Sequence, residues 1–271
     1  MRRIIVVFVL VLFGASAQAE SEFPLDHITP NLHDKASLQR GMHTFVNYCS
    51  GCHSLKYERY EQAARFLGIP KDLMMENLVF DPNARIGSLI TTSMSTKNAS
   101  DFFGQAPPDL TLEAKYRPNG PDWIYTYLRS FYRDKSRPFG VNNLVFPNVA
   151  MPNVLENLQG VQNEVCKEIP KLAPNGGEMM DPSDNKYITE KKCGEELIER
   201  GYSPLEMVKG SGELTPKQFD QVAYDLANFL YYTGEPMRLE RERIGVYVLL
   251  FLAFFYVLTR LLAREYEKEY H

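Results

Sequence analysis

Residues 49–53 read Cys49-Ser50-Gly51-Cys52-His53. Two cysteines three apart, with a histidine directly after the second, is the attachment spacing of a c-type haem. Each thiol adds across one porphyrin vinyl group to form a thioether, and the two-residue gap lets both sulfurs reach neighbouring vinyls on one edge of the ring. The next residue then lies under the ring, where an imidazole nitrogen can bind the iron. A redox Cys-x-x-Cys is usually set in a βαβ pattern, which the flanking sequence does not show. A structural zinc site needs a second ligand pair at short spacing, and the remaining cysteines, Cys166 and Cys193, do not supply one.

Two apolar runs lie outward of this stretch. Ile4–Phe13, behind Arg2 and Arg3, is too short to span a bilayer and is followed by the small-x-small site Ala17-Gln18-Ala19. It reads as a cleaved secretory signal over residues 1–19, with an uncleaved anchor as the alternative. Ile244–Leu262 is a 19-residue run whose one charge, Arg260, sits near its end, where it can snorkel to the interface. It reads as a single transmembrane helix within the segment 239–271, rather than a buried core helix. Arginines flank both ends, so flanking charge does not set the orientation. The export signal does: it puts the haem domain, residues 20–238, on the periplasmic side of a bacterial inner (plasma) membrane and leaves residues 263–271 in the cytoplasm.

The soluble part is long enough for one domain with insertions or two small ones. With 17 Gly and 17 Pro, much of it should be loop. Removing Arg2 and Arg3 with the leader leaves 28 basic residues against 34 acidic, a net of −6. No nucleic-acid partner is expected from that balance, and there is no nucleotide-binding glycine loop. Glu156, Glu164, Glu168, Glu178, Asp181 and Asp184 could steer a basic partner, or simply form a solvated face. Cys166 and Cys193 are an even remainder in an oxidising compartment and are expected to form a disulfide around a polar loop, with two free thiols as the alternative.

Ala36–Tyr48 has helical spacing of Leu38, Met42, Phe45 and Val46, and Gly41 in its middle suits close packing against another helix. Leu55–Leu67 is expected to continue helically, followed by a short helix over Lys71–Val79. Ser93–Gly104 reads as polar loop, and Ala106-Pro107-Pro108-Asp109-Leu110 as a rigid extended segment. Asp122–Arg133 reads as an aromatic amphipathic helix with Asp122 as its N-cap. Thr215-Pro216 opens the last soluble helix, whose stripe is Val222, Ala223, Leu226, Phe229 and Leu230 and which Gly234-Glu235-Pro236 ends.

His53 needs a second axial ligand from a distant loop. His27 and His33 lie in a polar lead-in, His43 sits on the entering helix and His271 lies beyond the anchor. Among ten methionines, Met151 stands in an apolar loop held between Pro147 and Pro152, stiff enough to present a weak thioether. A methionine there could equally be a core filler. Methionine–histidine ligation raises the reduction potential.

Together these motifs resemble the cytochrome c1 family, the haem-bearing subunits of the cytochrome bc1 complex. The resemblance rests on Cys49–His53 with Ser54 and Tyr57, Ala106–Leu110, Arg117 six residues before Trp123, Ala150-Met151-Pro152, and Gly234-Glu235-Pro236 just before one C-terminal anchor. It implies a mostly α, class I cytochrome c-like haem domain with long loop insertions and one C-terminal transmembrane helix. It implies one covalent haem c held by Cys49 and Cys52, with His53 and Met151 as axial ligands. Arg117 would pair with a propionate, Pro108 and Leu110 would pack against His53 and the ring, and Trp123, where the family commonly has tyrosine, would donate its indole N–H to a propionate. The Cys166–Cys193 insertion is not general in the family and reads as a tether behind the Met151 loop. The implied role is non-catalytic electron transfer from a Rieske iron–sulfur protein to a cytochrome c acceptor during quinol oxidation, beside cytochrome b and membrane lipid in a dimeric complex. A stand-alone membrane-anchored cytochrome c serving a terminal oxidase or reductase is the alternative.

Overall fold

The computed structural model describes residues 23–174 and 176–269. The expected leader, its cleavage site and His271 lie outside the described residues. The described chain forms two compact units, residues 28–125 with 214–269 and residues 23–27 with 126–213.

In the first unit, helix α1 (Lys35–Thr44) is capped by Asp34, whose carboxylate accepts from the Ser37 N–H at 3.0 Å. Its stripe residues Leu38 and Met42 are fully buried. The chain then tightens into one π-helical turn, Phe45–Cys49, which ends at the attachment loop. The helix expected over Leu55–Leu67 is corrected in its first part. Leu55–Arg59 is strand β1, paired antiparallel with β2 (Leu89–Ile90), and only Tyr60–Leu67 is helix α2. Tertiary partners override the local pattern here: Leu55 and Arg59 pair with Ile90 and Leu89 of β2, and the Lys56 and Tyr57 N–H groups bond to the Asp109 and Thr111 side chains. Gly68, in the left-handed region at φ 73°, closes α2.

Helix α3 (Lys71–Leu78) is as expected. The polar stretch 93–104 is not all loop: Thr96–Phe103 is helix α4, capped by Ser95 and ended by Gly104 at φ 80°. Only Ala99 of it is buried, so there is little apolar periodicity to read. After the short α5 (Glu113–Tyr116), helix α6 spans Gly120–Arg129, starting two residues earlier than expected and ending four residues earlier. Asp122 is its third residue rather than its N-cap, and one of its carboxylate oxygens accepts from the Ile28 N–H at 2.9 Å. The expected helical end, Phe131–Arg133, is strand β3, paired with β4 (Val141–Asn143).

These two strands open the second unit. Its core cluster is Phe131, Val141 and Val149, with Tyr127, Phe139 and Met151 packed against it. Helix α7 (Glu156–Gln159) leads to β5 (Gln162–Glu164), β6 (Cys166–Pro170), β7 (Thr189–Cys193), α8 (Glu195–Glu199) and β8 (Leu205–Met207). β6 and β7 form an antiparallel ladder with Cys166 opposite Cys193, and these two form the expected disulfide. Glu168 faces Lys191 across this ladder and Lys186 pairs with Asp184, so the insertion mixes both signs of charge.

The chain returns to the first unit through helix α9 (Pro216–Gly234). Thr215 and Gln218 form a reciprocal capping box with Pro216 at the first helical position. Ala223, Leu226, Phe229 and Leu230 are buried, as their stripe predicts. Gly41 of α1 lies against this helix so closely that a Cβ would stand 2.1 Å from the Asp225 carbonyl oxygen and 2.6 Å from Phe229 Cβ. The close approach that Gly41 suggested is therefore an α1–α9 contact. Arg40 of α1 reaches the same helix and grips the buried Asp225 carboxylate with two bonds, 2.6 and 3.1 Å. Helix α10 (Arg238–Glu269) ends the described chain. Its apolar window has a mean hydropathy of 2.2 with none of it buried, which makes it long and apolar enough to cross a membrane.

Candidate cofactor site

The π-helical turn brings Cys49 to the edge of the attachment loop. Cys52 N–H and His53 N–H both donate to the Cys49 carbonyl, at 3.0 and 2.8 Å, so the five residues close one compact turn. Both cysteines are free. Burial pushes the Cys49 thiol up to about 12, so it is a neutral sulfhydryl at pH 7. A redox dithiol works through a thiolate favoured by a depressed pKa, and this environment does the opposite. The loop is braced from a second side, where Thr92 Oγ1 donates to the Gly51 carbonyl at 2.7 Å and Thr92 N–H donates to Ser54 Oγ at 2.9 Å.

The Pro107-Pro108-Asp109-Leu110 segment is stitched along this loop bond by bond. His53 Nδ1 lies 2.8 Å from the Pro108 carbonyl oxygen. A carbonyl only accepts, so Nδ1 carries the proton and Nε2 keeps its lone pair for a metal. Burial pushes the His53 pKa down, against the raising influence of Pro108, Glu113 and Asp109, which favours the neutral imidazole a metal requires. Leu110 N–H donates to the Ser54 carbonyl at 2.9 Å. One Asp109 oxygen accepts from Lys56 N–H at 2.8 Å and the other from Thr111 N–H at 3.1 Å. Pro108 and Leu110 thus meet the His53–Ser54 stretch through their backbones. Asp109, Thr111 and Thr92 were not singled out by the sequence; the polar residue inside a proline-rich run was the available signal for Asp109.

Arg117 lies just past α5 and forms an ion pair with Glu113. Its guanidinium carbon stands 3.8 Å from the centroid of the Trp123 ring, a cation–π stack. The face of Trp123 therefore serves Arg117 as a platform. Cys49, Cys52, His53, Pro108, Leu110, Arg117 and Trp123 all belong to the first unit. Two unpaired thiols and an oriented imidazole with Nε2 available fit a covalently attached haem, and the guanidinium adds a cation that suits a carboxylate.

Met151 belongs to the second unit. Its loop is templated by the β3–β4 hairpin. Asn142 Oδ1 accepts from Asn143 N–H and from Asn148 N–H at 2.9 and 2.8 Å, and Asn143 Oδ1 accepts from Val145 and Phe146 N–H groups at 2.9 and 3.1 Å. Asn148 takes a left-handed φ of 64°. Arg137 donates to the Asn148 and Val149 carbonyls at 2.6 and 3.3 Å. Tyr127 Oη donates to Met151 Sδ at 3.4 Å. None of Tyr127, Arg137, Asn142 and Asn143 was legible as part of this site.

A family model described as the Cytochrome C1 family matches residues 25–165 and 206–270. The stretch it skips contains the disulfide-closed β6–β7 hairpin. The chain is 44% identical over 272 residues to the cytochrome c1 of Allochromatium vinosum, covering the whole of both proteins. It is 33% identical to the ammonia monooxygenase gamma subunit of Nitrosomonas europaea, over 99% of this chain and 97% of that one. It is 25% identical to the cytochrome c1 of Rhodospirillum rubrum, over 85% of this chain and 79% of that one.

Proposed function

This chain belongs to the cytochrome c1 family, and from that premise we propose that it takes one electron at a time from a Rieske iron–sulfur protein and passes it to a cytochrome c acceptor during quinol oxidation. The family's role is electron transfer in the cytochrome bc1 complex, and its members carry a covalently bound c-type haem. When bound, that group supplies a ferric–ferrous couple. Cys49 and Cys52 would hold it through thioethers. His53 would ligate the iron through Nε2, with its ring fixed and made more basic by the bond to Pro108. Arg117, which pairs with Glu113, would hold a propionate. Met151 would supply a second ligand through its thioether sulfur.

The single observation that carries this reading is the His53 Nδ1–Pro108 carbonyl bond, which orients an imidazole directly beside two unpaired thiols. Helix α10 supports a single-pass anchor, and the leader supports placing the haem domain in the periplasm, next to cytochrome b and membrane lipid in a dimeric complex. Purification from mild detergent through a tag on this chain tests the assignment. Cytochrome b and a Rieske protein should co-purify, and added quinol should reduce the haem. Isolation without those subunits, with no quinol-driven reduction, would instead make the chain a stand-alone membrane-anchored cytochrome.

A further inference from the structure

We propose that Tyr127 is a positioning residue for the sixth iron ligand, its hydroxyl holding the Met151 sulfur and raising the reduction potential of the site. The inference rests on the reading that Met151 is that ligand. Both ends of the contact are fixed. The Tyr127 ring stands edge-on to Phe131, with centroids 5.1 Å apart and planes at 71°. The Tyr127 carbonyl accepts from the buried Asn143 side chain at 2.8 Å. Met151 packs on the Phe131–Val141–Val149 cluster, and its loop is clamped two residues upstream by Arg137. The 3.4 Å separation of Tyr127 Oη and Met151 Sδ thus joins two preorganised groups.

A thioether sulfur has two lone pairs. With one directed to a metal, the other remains to accept from Tyr127. Donation into that pair draws electron density from the sulfur and makes it a weaker donor. Ferric iron depends on that donation more than ferrous iron does, so the hydrogen bond favours the reduced state. Hydrogen bonding around a metal-bound sulfur is a recognised lever on potential.

The test is Tyr127→Phe in the assembled complex, which keeps the ring and removes only the hydroxyl. The midpoint potential should fall and the thioether-to-iron charge-transfer band of the ferric form should persist at a shifted position. The affinity of the ferric form for added imidazole should fall by up to about tenfold, the weight of one hydrogen bond, because the relieved sulfur competes better for ferric iron. Met151→Leu is measured beside it. If Met151→Leu abolishes the band while Tyr127→Phe moves neither the potential nor imidazole affinity, Tyr127 only fills space and the proposal is overturned, with the ligand assignment intact. If Met151→Leu leaves band and potential unchanged, the ligand assignment itself is overturned and the proposal falls with it.

Discussion

Tyr232 Oη donates a 2.8 Å hydrogen bond to Glu58 Oε1 in the interior between β1 and α9. Glu58 is fully buried and its second oxygen has no partner. Tyr232 is fully buried too, stacked on Phe66 at 4.3 Å between ring centroids. One donor is too little to stabilise a buried carboxylate, and burial pushes the Glu58 pKa up to about 7 despite the opposing Tyr232 bond.

This pair makes stability fall with rising pH. The folded protein binds the Glu58 proton more tightly than the unfolded chain, whose carboxyl titrates near its ordinary value of 4.5. The stabilisation is therefore complete below about 4.5 and is lost as pH rises through about 7. Glu58→Gln removes the titration and keeps the acceptor. The thermal midpoint of the variant should gain on the natural protein between pH 5 and pH 8, and parallel midpoints across that range would refute the assignment. Tyr232→Phe should act oppositely and cost about 1–3 kcal/mol at neutral pH, because it strips a buried acceptor of its donor.

Gly41→Ala tests the α1–α9 contact. In an isolated helix this change would stabilise by about 1 kcal/mol. Here the new methyl would meet the Asp225 backbone oxygen and Phe229 Cβ, neither of which is the free end of a flexible side chain. The helices must separate, at a cost of about 1–3 kcal/mol or more. A lowered thermal midpoint is expected, and because α1 delivers the chain to Cys49, the yield of covalently attached haem should fall with it. An unchanged midpoint would mean the two helices can separate at no cost.

The elements legible in the sequence were those with strong local signals. Thr215-Pro216 before an apolar stripe predicted α9, and Gly41 inside another stripe predicted a helix crossing. Cys49–His53 points to haem attachment by its spacing alone. The failures share a cause. Leu55–Arg59 looks helical by period, yet it pairs with β2, and its Lys56 and Tyr57 N–H groups bond to Asp109 and Thr111, more than fifty residues away. Asp122 looks like a cap, yet it serves Ile28. Thr96–Phe103 looks like loop because it buries only one residue. In the site, ligand types announce themselves, but the groups that hold them do not. Tyr127, Arg137 and the Asn142-Asn143 pair act through backbone carbonyls, backbone N–H groups and a sulfur that only folding brings near.

Asp109 is one such holder, and it can be measured. Its two oxygens accept from Lys56 and Thr111 N–H groups, keeping the Pro108 carbonyl in line with His53. Asp109→Ala leaves both donors without that partner and should cost about 1–3 kcal/mol. Asp109→Asn retains an acceptor and should cost less. If Asp109 orients His53, carbon monoxide should bind the reduced Ala variant faster than the Asn variant. Equal rates and equal stabilities would reduce Asp109 to a surface group.

The Cys166–Cys193 disulfide yields the last prediction. Its sequence separation of 27 residues implies about 3–4 kcal/mol of stabilisation through the unfolded chain. That is an upper figure, because the β6–β7 ladder holds the same two positions opposite each other without it. β5 provides the link to the Met151 region, since Gln162 Nε2 donates to the Phe131 and Arg129 carbonyls at 2.8 Å each. Replacing both cysteines by serine should therefore loosen the hairpin first and the β3–β5 region less. Limited trypsin digestion reads this directly, since Lys171, Lys186, Lys191 and Lys192 lie in the hairpin, Arg133 ends β3 and Lys135 lies just beyond it. Early cleavage confined to the hairpin lysines is the expected result. Simultaneous cleavage at Arg133 or Lys135 would show that the disulfide secures the whole unit.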